Sequence, residues 1–158
     1  MIFIPGVLVA VLTFPGVIVH EVAHMLFCRL RHVAVLDVCF FRFGNPSGYV
    51  VHEETGNFNT TFLISVGPFL VNSALCMFIC FPALLPMKFF GVEQPLSFVL
   101  LWLGVSIGMH AFPSTQDADV LYRQAKKEIG SLKPLSVLSF PVVVLIYIAN
   151  ILSVFWLD

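Results

Sequence analysis

His20, Glu21 and His24 lie in the run FPGVIVHEVAHMLF, residues 14–27, which otherwise has the composition of a buried helix. Four positions separate the two histidines, so on a helix they project from one face about one turn apart and both imidazoles reach a single metal ion. Glu21, next to the first histidine, stands where a carboxylate takes the proton of a water activated at that ion. Zinc suits the set, because imidazole is a good donor for it and a catalytic zinc site uses three protein ligands and one open position. The third ligand must come from elsewhere in the chain: His32, Asp37, His52, Glu53, Glu54, His110, Asp117 or Asp119.

The elements that carry these side chains are unlike those of a soluble enzyme. The 158-residue chain has the length of one domain. It is 59% hydrophobic and 11% charged, with a mean hydropathy of +0.98, against about 45–50% and about 25% in ordinary globular chains. An integral membrane protein is expected. In that setting a charged group near the bilayer centre costs ~2.5–3.5 kcal/mol even on the lenient insertion scale, so ionisable residues inside a span mark function. With 8 Lys and Arg against 9 Asp and Glu, no basic surface for nucleic acid is present. Cys28, Cys39, Cys76 and Cys80 show no paired metal spacing and read as small buried apolar residues. The first apolar stretch lacks the charged region and cleavage site of a secretory signal and is expected to belong to the fold.

Four apolar stretches approach the ~20 residues that a helix needs to cross a bilayer: about residues 2–30, 61–85, 95–112 and 135–157. The expected fold is therefore all-α and polytopic, with four transmembrane helices in one domain covering residues 1–158. Pro15-Gly16 interrupts the first stretch and is expected to kink one long helix there. Arg29, Arg31 and Arg42 follow the first span, Lys88 alone follows the second, and Arg123, Lys126, Lys127 and Lys133 follow the third. Cytoplasmic loops attract such residues, which puts the first and third connections in the cytoplasm and both termini outside. A multi-pass protein of a cell membrane, with its metal site toward the cytoplasmic face, is the consequence.

The two cytoplasmic connections have structure of their own. Val33, Val35, Val38, Phe40 and Phe41 precede the turn-rich GNPSG, and Tyr49, Val50 and Val51 follow it, which predicts a β-hairpin over about 33–53 lying against the membrane surface. Ala118, Leu121, Ala125 and Ile129 recur at helical spacing opposite Asp119, Arg123, Lys126 and Lys127, which predicts an amphipathic helix over about 115–129, stopped by Gly130. That helix is expected to lie in the interface with its basic face toward anionic headgroups.

Topology thins the third-ligand candidates, since the end of the third stretch reaches the same face as His24. Asp117 falls beside the apolar stripe, turned toward the bundle; its structural alternative is a helix cap with Ser114. His110 is the second candidate, and Asp119 the third, although Asp119 precedes Arg123 by four and suits a helix-surface pair. His52 reads as a hairpin residue.

HEVAH in a membrane helix, a hairpin ending in SGYVVHE, VGPFLVNSAL in the next span and FPSTQDA after the third resemble the site-two protease family of intramembrane zinc metalloproteases, over roughly residues 14–121. The resemblance implies His20, His24 and Asp117 as zinc ligands and Glu21 as general base. It also implies that Gly48, Tyr49 and Val50 hold substrate beside the site as an edge strand does, and that Gly67, Pro68 and Asn72 support it. Asn72 comes one residue later than the family's Gly-Pro-x-x-Asn pattern, and Ala118 stands where the family has glycine. No appended sensor domain is expected, so the chain resembles a minimal catalytic core with one additional C-terminal span. Its partners would then be a transmembrane protein or peptide substrate and the lipid bilayer. A non-catalytic zinc-binding scaffold that recognises transmembrane partners is the alternative, and predicts that Glu21 is dispensable. A metal transporter fits less well, because its ligands would be spread over several depths.

Overall fold

The computed structural model describes residues 6–90 and 95–129, with Val144 and Ile148 beyond them. Among these residues the chain is mostly helical with one small antiparallel sheet. The order is α1 (Gly6–Leu12), α2 (Phe14–Leu30), β1 (Val35–Cys39), β2 (Tyr49–His52), α3 (Phe58–Phe90), α4 (Pro95–Met109) and α5 (Thr115–Ile129).

Where one kinked helix was expected at residues 2–30, α1 and α2 are separate helices that meet at 88°. The break falls at Thr13, because Pro15 occupies the first turn of α2, where its missing N–H costs nothing. Gly16 has a different use. A Cβ there would lie 2.6 Å from His110 Cδ2 and would run into the Ser106 carbonyl, so the glycine lets α2 approach the backbone of α4. Trp102 Nε1 donates to Leu12 O at 3.1 Å and holds the end of α1 to the same helix.

Among the described residues one helix is long and apolar enough to cross a membrane, Phe58–Leu85 in α3, or two if α1 and α2 form one bent span. This is fewer than the four expected. The third stretch gives only the 15 residues of α4, about 22 Å at 1.5 Å per residue. It stops short of Phe112 because Pro113 disfavours helix in the residues before it, and the last carbonyls of α4 find other donors. The fourth stretch, 135–157, apart from Val144 and Ile148, and Gly130 lie outside the described residues.

α2 packs on α3 and α4 through Gly16, Val17, His20, Glu21, Ala23, His24 and Cys28, all buried, while Val22, Leu26 and Leu30 face outward. Gly67 of α3 sits against the Phe27 ring, with no room for a side chain. Further along, Cys76 and Cys80 of α3 meet Gly108 and Gly104 of α4 as small packing residues, and all four cysteines are free. α2 ends where His32 enters the left-handed region at φ 56°, with Val33 N donating to Cys28 O at 2.8 Å.

The hairpin forms as expected, Asp37 pairing with Val51, Val38 with Val50 and Cys39 with Tyr49, with an irregularity between Val35 and Asp37. Tyr49 donates its hydroxyl to Asp37 Oδ2 at 3.0 Å, and Arg42 stacks 5.1 Å from the Tyr49 ring. Leu36, Val38, Phe43 and Val51 stay exposed. Both strands pack on α2.

The apolar face of α5 is not left for lipid. Ala118, Leu121 and Ala125 are buried against the start of α3, where Leu121 and Ala125 join Phe58, with Phe62 and Val66 around them. Gln124 adds a polar latch, accepting from Thr61 Oγ1 at 2.5 Å and donating to Thr55 O at 2.7 Å. Arg123, Lys126 and Lys127 remain exposed on the other side. Docking on α3 holds the first turn of α5 beside α2.

Candidate metal centre

The 3.6-residue period puts His20 and His24 one above the other on the buried face of α2, their ring centroids 4.8 Å apart. Each ring is held by a main-chain carbonyl. His20 Nδ1 is 2.6 Å from His110 O, and His24 Nδ1 is 3.0 Å from Ile64 O. A carbonyl only accepts, so both Nδ1 atoms carry a proton, and in the neutral imidazoles both Nε2 atoms present lone pairs. Those two Nε2 atoms face each other at 3.1 Å. Two lone pairs at that distance repel unless a proton or a metal ion lies between them.

Asp117 supplies a third donor, its Oδ2 lying 3.3 Å from His24 Nε2. One atom from each of His20, His24 and Asp117 lies within 4.8 Å of the others, so the three could hold one metal ion. Two ligands of a tetrahedral zinc with bonds of 2.0–2.1 Å are about 3.3 Å apart. The separations of 3.1 and 3.3 Å match that edge. The donor chemistry fits as well: two imidazoles with their other nitrogens tied to carbonyls, and a carboxylate oriented by its own hydrogen bonds.

Those bonds come from Ser114. Its N–H and hydroxyl donate to Asp117 Oδ2 at 3.0 and 2.6 Å, and its Oγ accepts from Asp117 N at 3.2 Å. This is the capping box that the sequence offered as an alternative to the ligand. The cap forms and the same carboxylate still faces His24, so the two readings are compatible. Burial works against the Asp117 carboxylate, but a His24 ring protonated at both nitrogens, together with the Ser114 bonds, outweighs it and holds its pKa down to about 2.

The remaining candidates are placed elsewhere. The His110 ring is not turned to the centre: its Nε2 lies 2.8 Å from Thr13 Oγ1, and Thr13 Oγ1 donates onward to Val9 O at 2.7 Å, so Nε2 is the donor to Thr13. What His110 gives the site is its carbonyl. Asp119 is exposed, and Arg123 Nε reaches its carbonyl at 3.3 Å rather than its carboxylate. Asp37 is bound to Tyr49, His32 forms the exit turn of α2, and His52 Nδ1 lies 2.8 Å from Glu53 O in the exposed hairpin.

Glu21 is 8% exposed, next to His20 and under the hairpin. A Cβ on Gly48 would lie 2.8 Å from Glu21 Cγ, 3.0 Å from its Oε1 and 3.1 Å from Phe40 O. The glycine thus leaves the space that the carboxylate occupies. Gly48→Ala is expected to push Glu21 from its position and lower any hydrolysis that depends on it by about a hundredfold, the scale of a 1 Å misplacement, with metal content unchanged by elemental analysis. Tyr49 and Val50 follow in β2 and are partly buried. Pro68 and Asn72 are fully buried in α3. Asn72 Nδ2 donates to Ile107 O at 3.2 Å and to His110 O at 2.9 Å.

Sequence reasoning did not anticipate Thr13, or the carbonyls of Ile64 and His110. Main-chain acceptors have no residue signature, although a helix end before a proline, as at His110, signals free ones.

Comparison of the chain with protein-family models, with curated proteins and with solved structures finds no significant match.

Proposed function

We propose that the protein is an intramembrane zinc metalloendopeptidase of the site-two protease type, cleaving peptide bonds in or near transmembrane segments. The observation that carries this reading is the pair of imidazole Nε2 atoms at 3.1 Å, converging with the Asp117 carboxylate beside the buried Glu21. His20, His24 and Asp117 would hold a zinc ion, which bound there would polarise the scissile carbonyl and bring the pKa of water to roughly 7. Glu21 receives the proton of the attacking water and passes it to the leaving amine. The carbonyls of His110 and Ile64 keep the two imidazoles in the Nδ1–H form throughout, and Ser114 keeps the carboxylate aimed.

The hairpin lies over Glu21 through Gly48, so a strand of substrate laid along its edge would run beside the centre, held by main-chain bonds irrespective of its side chains. The membrane setting completes the reading. A multi-pass arrangement is proposed, with the connections bearing Arg29, Arg31 and Arg42 and bearing Arg123, Lys126, Lys127 and Lys133 in the cytoplasm and the centre in the cytoplasmic leaflet.

The test is metal removal. Purified full-length protein in detergent should cleave a peptide containing a transmembrane segment, lose that activity on dialysis against a chelator, and regain it with zinc. Cleavage that persists in metal-free protein would sink the proposal.

A further inference from the structure

The carbonyl that holds His24 belongs to Ile64, in the interior of α3, where a helix ordinarily uses every carbonyl for its own ladder. Ile64 O is nevertheless within 3.0 Å of His24 Nδ1. Its partner in the ladder would be the N–H of residue 68. Residue 68 is proline, which has no N–H, and whose ring pushes the carbonyl four residues back out of line. The carbonyl that holds His20 is also free of a helix ladder, since His110 follows the last turn of α4. It is fixed by Asn72, one turn after Pro68 on α3, whose Nδ2 donates to it at 2.9 Å and to Ile107 O at 3.2 Å.

Asn72 is fully buried, and its Oδ1 has no hydrogen-bond partner among the described residues. The opposite amide orientation would set that oxygen against two carbonyls, so the amide faces α4 with its nitrogen. Both residues therefore act on the centre from one face of α3 without touching a ligand side chain.

We infer that Pro68 and Asn72 are positioning residues for the metal centre: Pro68 by leaving Ile64 O free to orient His24, and Asn72 by fixing His110 O to orient His20. The inference rests on the zinc reading of His20, His24 and Asp117. Partners one step removed from the metal are worth roughly ten- to a hundredfold in its affinity.

The roles separate from ordinary packing by the sign of their effects. In Pro68→Ala the new N–H competes with His24 for Ile64 O. The helix gains a bond while the centre loses one. Zinc affinity, measured on the full chain in detergent by competition with a chromophoric chelator, is expected to fall roughly tenfold, with thermal stability of the metal-free protein unchanged or raised. Asn72→Asp keeps the side-chain volume but removes both N–H donors, and Asn72→Leu does so without adding a charge. Each is expected to weaken zinc by about tenfold or more and to alter the ligand-field spectrum of the cobalt-substituted protein. Cys76→Ala, one turn further along the same face, should leave zinc affinity and spectrum unchanged.

Pro68→Ala binding zinc as tightly as the parent protein, or an equal loss in Cys76→Ala, would overturn the inference and leave the metal centre standing. A parent protein that binds no zinc would overturn both.

Discussion

Replacing Glu21 with glutamine is expected to leave the zinc content unchanged and to lower cleavage of a transmembrane-segment peptide by roughly a hundred- to ten-thousandfold, the range spanned by positioned general bases. Glutamine keeps the length and shape of the side chain, so the contact with Gly48 survives. What it cannot do is take a proton at the pH of the assay. Glu21 is not among the three side chains whose ligand atoms converge, so metal content and activity should separate cleanly. The two measurements belong on the same preparation: elemental analysis for zinc, and mass spectrometry of the products for the scissile bond. If cleavage survives the substitution, the proton transfer assigned to Glu21 is wrong. If neither form cleaves while both bind zinc, the non-catalytic scaffold is the better reading.

The second large effect is expected at Asp117. Asp117→Ala removes a proposed ligand and should weaken zinc by more than the roughly hundredfold upper range of changes to groups that only orient a ligand. The same change also removes the carboxylate half of the capping box, which accepts from the Ser114 N–H, so alanine alone would confound two losses. Asp117→Asn separates them. The amide oxygen still accepts from Ser114 and preserves the cap, while the negative charge facing His24 at 3.3 Å is gone. Zinc binding is expected to fall in both variants, with helicity by circular dichroism retained in Asp117→Asn. His110→Ala is the contrasting case. The main-chain carbonyl that accepts from His20 remains, and only the bond to Thr13 is lost, so zinc content should fall far less. A site emptied by His110→Ala and retained in Asp117→Asn would reverse the ligand assignment.

The contrast between Asp117 and His110 shows where a sequence carries site information and where it does not. His20, Glu21 and His24 are legible because their spacing sets their geometry within one helix, whatever surrounds it. Asp117 lies 93 residues after His24 in the chain (117 − 24). Its approach depends on α5 docking through Leu121 and Ala125 on Phe58. The amphipathic pattern predicted the helix and its apolar face, but a pattern does not state whether lipid or protein covers that face. The same ambiguity affected Ser114, where a cap and a ligand looked like alternatives although the capping carboxylate still faces His24.

Chain reversal at the first stretch was half legible. Pro15 marked a discontinuity, yet proline is equally at home in a kink and in a first turn. The 88° angle follows from what holds the ends of the two helices: Thr13 on His110 and Leu12 on Trp102. Neither contact has a sequence signature, since both join residues about 90 or more apart. Hydropathy was misleading in another way at the third stretch, where apolar residues continue to Phe112 but the helix stops at Met109. Hydropathy measures tolerance of lipid, and a helix end is decided by backbone partners.

By itself the sequence determined the helical, apolar character of the chain, the hairpin between its second and third helices, and a pair of histidines with a glutamate on one helical face. These follow from local periodicity and composition. The tertiary structure decided which carboxylate meets the two histidines, which carbonyls face the Nδ1 atoms of His20 and His24, and why a glycine stands over Glu21. Each of those depends on two or more elements meeting. A residue's type limits the bonds it can form, and only the packing of α3, α4, α5 and the hairpin around α2 selects the partner.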